Sequence, residues 1–222
     1  MATSDSRDFD LDVGEIVEEA YERCGLEVRT GYDARTARRS LNIMFSEWAN
    51  RGLNLWTVNS ATQALTDGTS SYTFTAEYTD ILEVVLRRSG TDFSMSKISR
   101  GEYLNLPSKT QKGRPSQYYF DRQTIPKIFL WPTPENSTDT LEYFYVRRIQ
   151  DADTLQNTSD VPFRFLPCMV AGLSYYLSMK KAPQMVQQNK LIYEDELKRA
   201  LDEDGQRAST FITPQSFYPN GL

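Results

Sequence analysis

Residues 113–151 read GRPSQYYFDRQTIPKIFLWPTPENSTDTLEYFYVRRIQD and contain three runs rich in Tyr, Phe, Ile and Thr. Such residues are typical of strands, because they fit a pleated, half-buried surface. The runs cover residues 117–122, 127–131 and 140–146, and prolines lie between them, where a missing N–H donor ends a strand. The stretch therefore predicts a β-meander, and no residue in it indicates an assembled catalytic group.

Helical patterns lie on both sides of this β region. Apolar stripes predict a first helix over residues 10–25 and a second over 33–51, which we expect to pack as an antiparallel hairpin. Two more helices are predicted over 162–183 and 184–204, with prolines marking the start and the end of the first of them.

Between the two helix pairs the hydrophobic period changes to two, which predicts further strands. The additional elements expected here are strands at 57–65, 72–74, 81–88 and 93–98, a short helix at 99–106, and a basic exposed loop, KTQKGR, at 109–114.

These elements predict an α+β fold in which N- and C-terminal helices form one bundle and the central antiparallel β region is an insertion. Four segments are expected: a helix pair at 1–54, the β-rich insertion at 55–150, a second helix pair at 151–208 and an extended tail at 209–222. The tail has no helical period, and its aromatic residues suggest that it docks on a partner.

Composition narrows the class of protein. The 222 residues carry a net charge of −5, so the chain lacks the basic footprint of proteins that read nucleic-acid sequence. Cys24 and Cys168 fall at apolar helix positions, which favours two buried, reduced thiols over a disulfide. The polar, acidic N-terminus is not a signal peptide, and no apolar run reaches the ~20 residues of a membrane span. We expect synthesis and folding in a cytosol.

Catalysis is poorly supported by the residue types present. The chain has no histidine, the most common general base and metal ligand. It also has no Gly-rich phosphate loop, so neither a cofactor nor a metal is expected. A carboxylate pair remains, as in a glycosidase, with Glu47 beside Trp48 and Glu142 in the Tyr-rich strand as candidates. Since such carboxylates are usually solvated, we predict that the chain is not an enzyme.

The order of motifs from the β region into the following helix resembles the head-to-tail adaptor family of short-tailed bacteriophages, the podoviruses, whose members include tail tubular protein A and packaged-DNA stabilisation proteins. No single motif is specific, whereas the ordered set is. It comprises G-x-P-x-x-Y-x-x-D from Gly113 to Asp121, Trp131-Pro132-x-Pro134, Tyr143 and Tyr145, RRIQD at 147–151, and the helix start from Pro162 to Pro167.

This resemblance implies a virion structural protein of the tail or neck, made in the host cytoplasm and assembled as a homo-oligomeric ring, a dodecamer, beneath the portal. Its implied tasks are to cap the portal, to extend the DNA channel around double-stranded DNA without specific contacts, and to form the platform for the tail nozzle and the fibres. No cofactor and no membrane are implied.

The resemblance assigns no residue roles, so contact residues are inferred from exposure and composition. For portal docking we expect the tail residues Phe211, Pro214, Phe217 and Tyr218. For tail-side contacts we expect Lys109, Lys112 and Arg114, although they could equally form a simple loop. For contacts with neighbouring subunits or channel DNA we expect Arg35, Arg38, Arg39, Arg147 and Arg148. Surface salt bridges, which contribute little stability, are the plainer role for these arginines.

Two other functional classes stay open. A cell-wall-degrading tail hydrolase would need a cleft with one carboxylate of raised pKa. A monomeric, aromatic-rich binding module would recognise a peptide or a glycan through its strands and would form no ring. Ring formation with a portal separates the three hypotheses.

Overall fold

The computed structural model of the chain describes residues 5, 11–51 and 55–204. It has the predicted α+β architecture, with helices from the two ends of the chain flanking a central β region. The helices in these ranges are α1 (Val13–Arg23), α2 (Gly31–Arg51), α3 (Arg100–Asn105), α4 (Leu166–Lys181) and α5 (Val186–Asp204). None of them is both long and apolar enough to cross a membrane.

Helix α4 is the centre of the bundle. Its side chains are buried on nearly every face, including Leu173, Leu177 and the small polar Ser174, because α1, α2 and α5 all pack against it. A helix that is apolar all round is stable only when it is surrounded in this way. The apolar stripes predicted for the first two helices are confirmed, since the following residues are all buried: Val13, Ile16, Val17, Ala20, Cys24, Ala37, Leu41, Met44, Phe45 and Trp48.

The β region is a sandwich of two sheets around a second core. Its strands are β1 (Val58–Ala64), β2 (Ser71–Thr73), β3 (Tyr78–Arg88), β4 (Thr91–Ser94), β5 (Ser96–Lys97), β6 (Lys112–Gly113), β7 (Gln117–Asp121), β8 (Lys127–Trp131), β9 (Thr133–Pro134) and β10 (Thr140–Arg147). One sheet has the order β1-β10-β3-β4 and the other β2-β8-β7-β5, and β6 pairs with β9 beside them.

The predicted meander is wrong in one respect. Strands β7 and β8 form the expected hairpin, but β10 leaves them and pairs between β1 and β3 in the opposite sheet. The reason is burial: Leu141 and Tyr143 of β10 face Tyr118 and Leu130 across one shared core.

Smaller differences have local causes. The expected strand at 93–98 is divided because Met95 turns into the core and donates its N–H to the Val84 carbonyl at 3.1 Å. The pairs β5 with β7 and β6 with β9 are parallel, within an otherwise antiparallel region. The second of these pairs places Lys112 in a strand rather than in an open loop.

The segment after β10 ties the sandwich to the bundle. Arg147 pairs with Asp160, and its Nη2 lies 2.8 Å from Oδ1 of that carboxylate. Asn42 of α2 accepts the N–H of Ala152 at 2.8 Å, and the N–H of Val13 at the start of α1 bonds the Asn157 carbonyl at 3.0 Å. Hydrogen bonds to the sandwich and to the bundle therefore fix the segment that connects the two cores.

Candidate assembly surfaces

Glu47 lies in a hydrogen-bond network that joins three helices. Its Oε2 accepts from Tyr193 at 2.9 Å and from Tyr176 at 3.3 Å, while Arg51 donates to Oε1 at 2.6 Å. The Tyr193 hydroxyl in turn accepts from the Trp48 indole at 2.8 Å, and burial raises the pKa of Tyr193, which keeps its hydroxyl a donor. The network fastens α2 to α4 and α5, a structural role.

Glu142 lies far from this network along the fold, on the outer face of the first sheet. It pairs with Arg87, whose other nitrogens bond Asp92 at 2.7 and 2.8 Å. Since Glu47 belongs to the bundle and Glu142 to the sandwich, the two carboxylates do not share a cleft. Across the described ranges no group of Cys, Asp or Glu side chains is arranged to hold a metal ion.

The two cysteines are buried and reduced, as predicted. The Sγ of Cys24 lies 3.3 Å from the Ser174 carbonyl, between α1 and α4. Burial raises the pKa of the Cys168 thiol to about 12 and raises that of Cys24 as well. Both thiols therefore remain protonated and act as small apolar groups.

The basic residues near β6 do not form a single patch. Lys109 donates to a carbonyl at the end of α3 at 3.0 Å, as cations commonly do at a helix C-terminus. Lys112 pairs with Asp67 at 2.7 Å, and the Arg114 guanidinium lies over the Phe93 ring at 4.2 Å. Each cation has its own partner within the subunit.

The five arginines singled out in the sequence divide into two kinds. Arg38 donates to the Asp153 carbonyl, and Arg147 pairs with Asp160, which raises the pKa of its guanidinium. These two hold the segment between the cores. Arg148 is exposed beside a groove of about 400 Å³ between α2 and the sandwich, which Asn42 and Phe45 also line.

Arg35 and Arg39 belong with Arg148 to the second kind, the exposed arginines. Both are exposed on α2, and no carboxylate among the described residues lies within 4.0 Å of either guanidinium. Nearby, Lys180 of α4 donates to Ser40 at 2.7 Å, and the pKa of Lys180 is lowered by burial and by the positive charge of Arg39. The exposed guanidinium groups of Arg35 and Arg39 therefore make this part of α2 cationic, close to Lys180 of α4.

Two exposed surfaces were not predicted from the sequence. Tyr32 and Ile43 are exposed at 66% and 50% on the same side of α2 as the arginines, a row that the spacing of three and four residues could have shown. On the sandwich, Phe144 is 49% exposed in an open groove of about 540 Å³ across the outer face of the first sheet. The expected portal contacts Phe211, Pro214, Phe217 and Tyr218 lie outside the described residues.

The motif residues behind the family resemblance support the fold rather than a site. The Trp131–Pro132 peptide is cis, and the Trp131 indole donates to the Ser108 carbonyl at 2.9 Å. A Cβ on Gly113 would lie 3.3 Å from Pro132, so this position favours glycine where β6 and β9 meet. Of the ordered set, Gly113 and the Trp131–Pro134 segment thus shape the part of the sandwich where β6 pairs with β9.

Two comparisons with known proteins bear on the family resemblance seen in the sequence. A search of curated proteins finds no match for this chain. The profile of the SU10 adaptor protein family matches residues 14–216, which cover both helix pairs and the whole sandwich. The chain therefore belongs to the SU10 adaptor protein family, whose members are structural adaptor proteins of bacteriophages.

Proposed function

We propose that this protein is the head-to-tail adaptor of a short-tailed phage and forms a closed dodecameric ring beneath the portal. In this role it binds the portal, extends the DNA channel, and supports the tail nozzle and fibres. Family membership supports the adaptor role. Two packed cores joined by a hydrogen-bonded segment suit a part that must transmit contacts between the head and the tail.

The observation that carries the ring is the exposed row on α2. Tyrosine and arginine are enriched in protein interfaces and, with tryptophan, among their hot-spot residues. Here Tyr32, Arg35 and Arg39 lie exposed together, although most other described arginines have a carboxylate partner inside the subunit. Two neighbouring guanidinium groups with no carboxylate within 4.0 Å among the described residues are best explained by a partner in the assembly.

Net charge suits the proposed channel. At −5 per subunit, a ring presents an acidic body, and like charge repels phosphates from its walls. Double-stranded DNA would then pass through without a specific grip. Arg148, exposed in the groove between α2 and the sandwich, is the arginine we propose for neighbour or DNA contacts besides the α2 row, whereas Arg38 and Arg147 act within the subunit.

The contacts with the portal and with the tail use surfaces other than the proposed ring contact. We propose that Phe211, Pro214, Phe217 and Tyr218 dock on the portal. Lys109, Lys112 and Arg114 lie at the sandwich edge and are proposed for the tail side, where the nozzle would compete with their internal partners.

The proposal is tested by native mass spectrometry of the purified chain, alone and mixed with the portal of the same virus. The expected product is a portal complex carrying twelve copies, even if the free chain is monomeric, because the portal can template the ring. A variant ending at residue 208 is expected to keep its far-UV circular dichroism spectrum and to lose portal binding. If the full chain neither binds the portal nor forms a ring, the adaptor proposal fails and a monomeric binding module is the better account.

A further inference from the structure

The outer surface of α2 carries one continuous row of exposed side chains. Tyr32, Arg35, Arg39 and Ile43 follow one another at steps of three, four and four residues, which places them on one line of the helix. The row is cationic at its centre and apolar at both ends. Such a row is typical of an interface in which two apolar residues anchor the contact and the charged residues between them select the partner.

The outer surface of α1 carries a complementary row. Glu15, Glu18 and Glu22 are exposed at steps of three and four residues. Glu15 caps its own helix by accepting the N–H of Asp12 at 3.1 Å. Glu18 and Glu22 are exposed one turn apart, and no described Lys or Arg lies within 4.0 Å of either carboxylate. Like charges one turn apart are mildly destabilising in a lone helix, so this row too favours an external partner.

The spacing of the two rows matches. Glu18 and Glu22 are four residues apart, as are Arg35 and Arg39, which corresponds to about 6 Å along each helix axis. Two ion pairs can therefore form at once when the rows meet. Within one subunit they do not meet, because α1 and α2 both turn their apolar sides toward α4 and keep these rows outside.

We propose that the ring contact joins the α1 row of one copy to the α2 row of the next, with Glu18 and Glu22 pairing with Arg35 and Arg39. This inference rests on the proposed ring. A ring needs a heterologous contact, in which each subunit presents two different and complementary faces. Among the described residues, Glu18 and Glu22 on α1 and Arg35 and Arg39 on α2 have no opposite charge within 4.0 Å, and their equal spacing supplies two such faces.

Tyr32 and Ile43 complete the contact at its two ends. They are among the more exposed large apolar residues described, and they lie one turn outside the arginines. Their burial would exclude water from the ion pairs, which strengthens charge interactions that salt would otherwise screen.

Charge reversal tests the pairing. The variant Arg35→Glu with Arg39→Glu places acid against acid, and we expect it to weaken ring assembly on the portal by about a hundredfold or more. Glu18→Arg with Glu22→Arg is expected to fail in the same way. The chain carrying all four substitutions restores complementary rows and is expected to assemble again. Lys190→Glu with Lys198→Glu on α5 is a control with the same change of charge as the arginine variant.

The readout is the number of copies per portal by native mass spectrometry, with circular dichroism to confirm that each variant is folded. Normal assembly of the arginine variant overturns the inference, as does failure of the four-substitution chain while the control assembles. A closed dimer as the only product overturns the head-to-tail arrangement. If instead only affinity for a DNA duplex falls, the arginine row faces the channel and the inference is wrong. Absence of any wild-type ring, by contrast, defeats the proposed function itself.

Discussion

Gly172 sets how closely α4 approaches its neighbours in the bundle. A Cβ at this position would lie 2.3 Å from the Met44 sulfur and 2.8 Å from a ring carbon of Tyr193. The methionine can move, but the Tyr193 ring is held by Glu47 and Trp48. We therefore expect Gly172→Ala to lower the free energy of unfolding by about 1–3 kcal/mol, as overpacking does, measured by urea denaturation.

Gly101 is the matched control for this substitution. It lies in the first turn of α3, where the nearest atom to an added Cβ is the Ser99 hydroxyl at 3.9 Å. Alanine should be tolerated or slightly stabilising there, since glycine is the poorer helix former. Equal effects of the two substitutions would show that the close approach at Gly172 is not what limits packing.

The pair of Asp33 and Lys181 joins α2 to the end of α4 and predicts an acid dependence. The Lys181 ammonium, followed by the Thr30 hydroxyl, lowers the pKa of Asp33 to about 2. An unfolded Asp titrates near about 4, so the unfolded chain binds more protons between these values. The stabilisation is therefore complete above about pH 4 and is lost as the pH falls toward 2.

We expect Asp33→Asn to remove this contribution. The urea midpoint of the variant should lie below that of the wild type at pH 6, and the two should converge between about pH 4 and pH 2. Lys181→Met should produce the same convergence, whereas Glu27→Gln, at an exposed loop position, should leave the profile unchanged. A constant difference between wild type and Asp33→Asn across the whole range would contradict the assignment.

At the scale of elements, the end of α5 is fixed at a joint between the bundle and the sandwich. Asp204 is buried, pairs with Arg164 just before α4, and accepts the N–H of Leu55 at 2.8 Å. Leu55 begins the 3₁₀ turn that leads into β1. One carboxylate therefore connects three segments of the chain.

Removal of this carboxylate should loosen the joint. Asp204→Ala leaves a partly buried guanidinium and a backbone N–H without their acceptor, and we expect a loss of about 2–3 kcal/mol in the free energy of unfolding. Hydrogen exchange should increase at Leu55 and the following strand. Asp202→Ala, at an exposed position of the same helix turn, is the comparison; a similar loss there would argue against a specific joint.

At the scale of the whole molecule, the two cores are separate sets of buried side chains. One is built by the helices and the other by the sheets, with a tied segment between them. We expect Leu173→Ala to accelerate hydrogen exchange in the bundle and Leu130→Ala in the sandwich, each with a local cost of about 2–5 kcal/mol. Hydrogen-exchange mass spectrometry reads both regions in one experiment.

This prediction distinguishes a chain whose two cores open separately from a chain that unfolds as one unit. If either substitution accelerates exchange equally in both regions, the chain unfolds as a single cooperative unit, and the division into bundle and insertion has no thermodynamic meaning. Selective effects would support the proposed segments, with the β region stable as an insertion between the two helix pairs.

The helices and the class of the fold follow from patterns that are local in the sequence. The stripes of α1 and α2 were predicted residue by residue, because each apolar position in a helix is set by its near neighbours along the chain. The strands β7, β8 and β10 were also located from local composition. The absence of histidine and of phosphate loops argues against catalysis from the sequence alone.

The pairing of the strands and of the charges, by contrast, depends on contacts between distant segments of the chain. Strand β10 reads like its neighbours in sequence, yet it joins β1 and β3, because partners in a sheet are chosen by a core that distant segments share. Arg38 and Arg39 are adjacent in the chain, but one bonds the Asp153 carbonyl and the other faces outward without a described carboxylate. Both are arginines, and their surroundings differ because the partner of Arg38 lies 115 positions away along the chain.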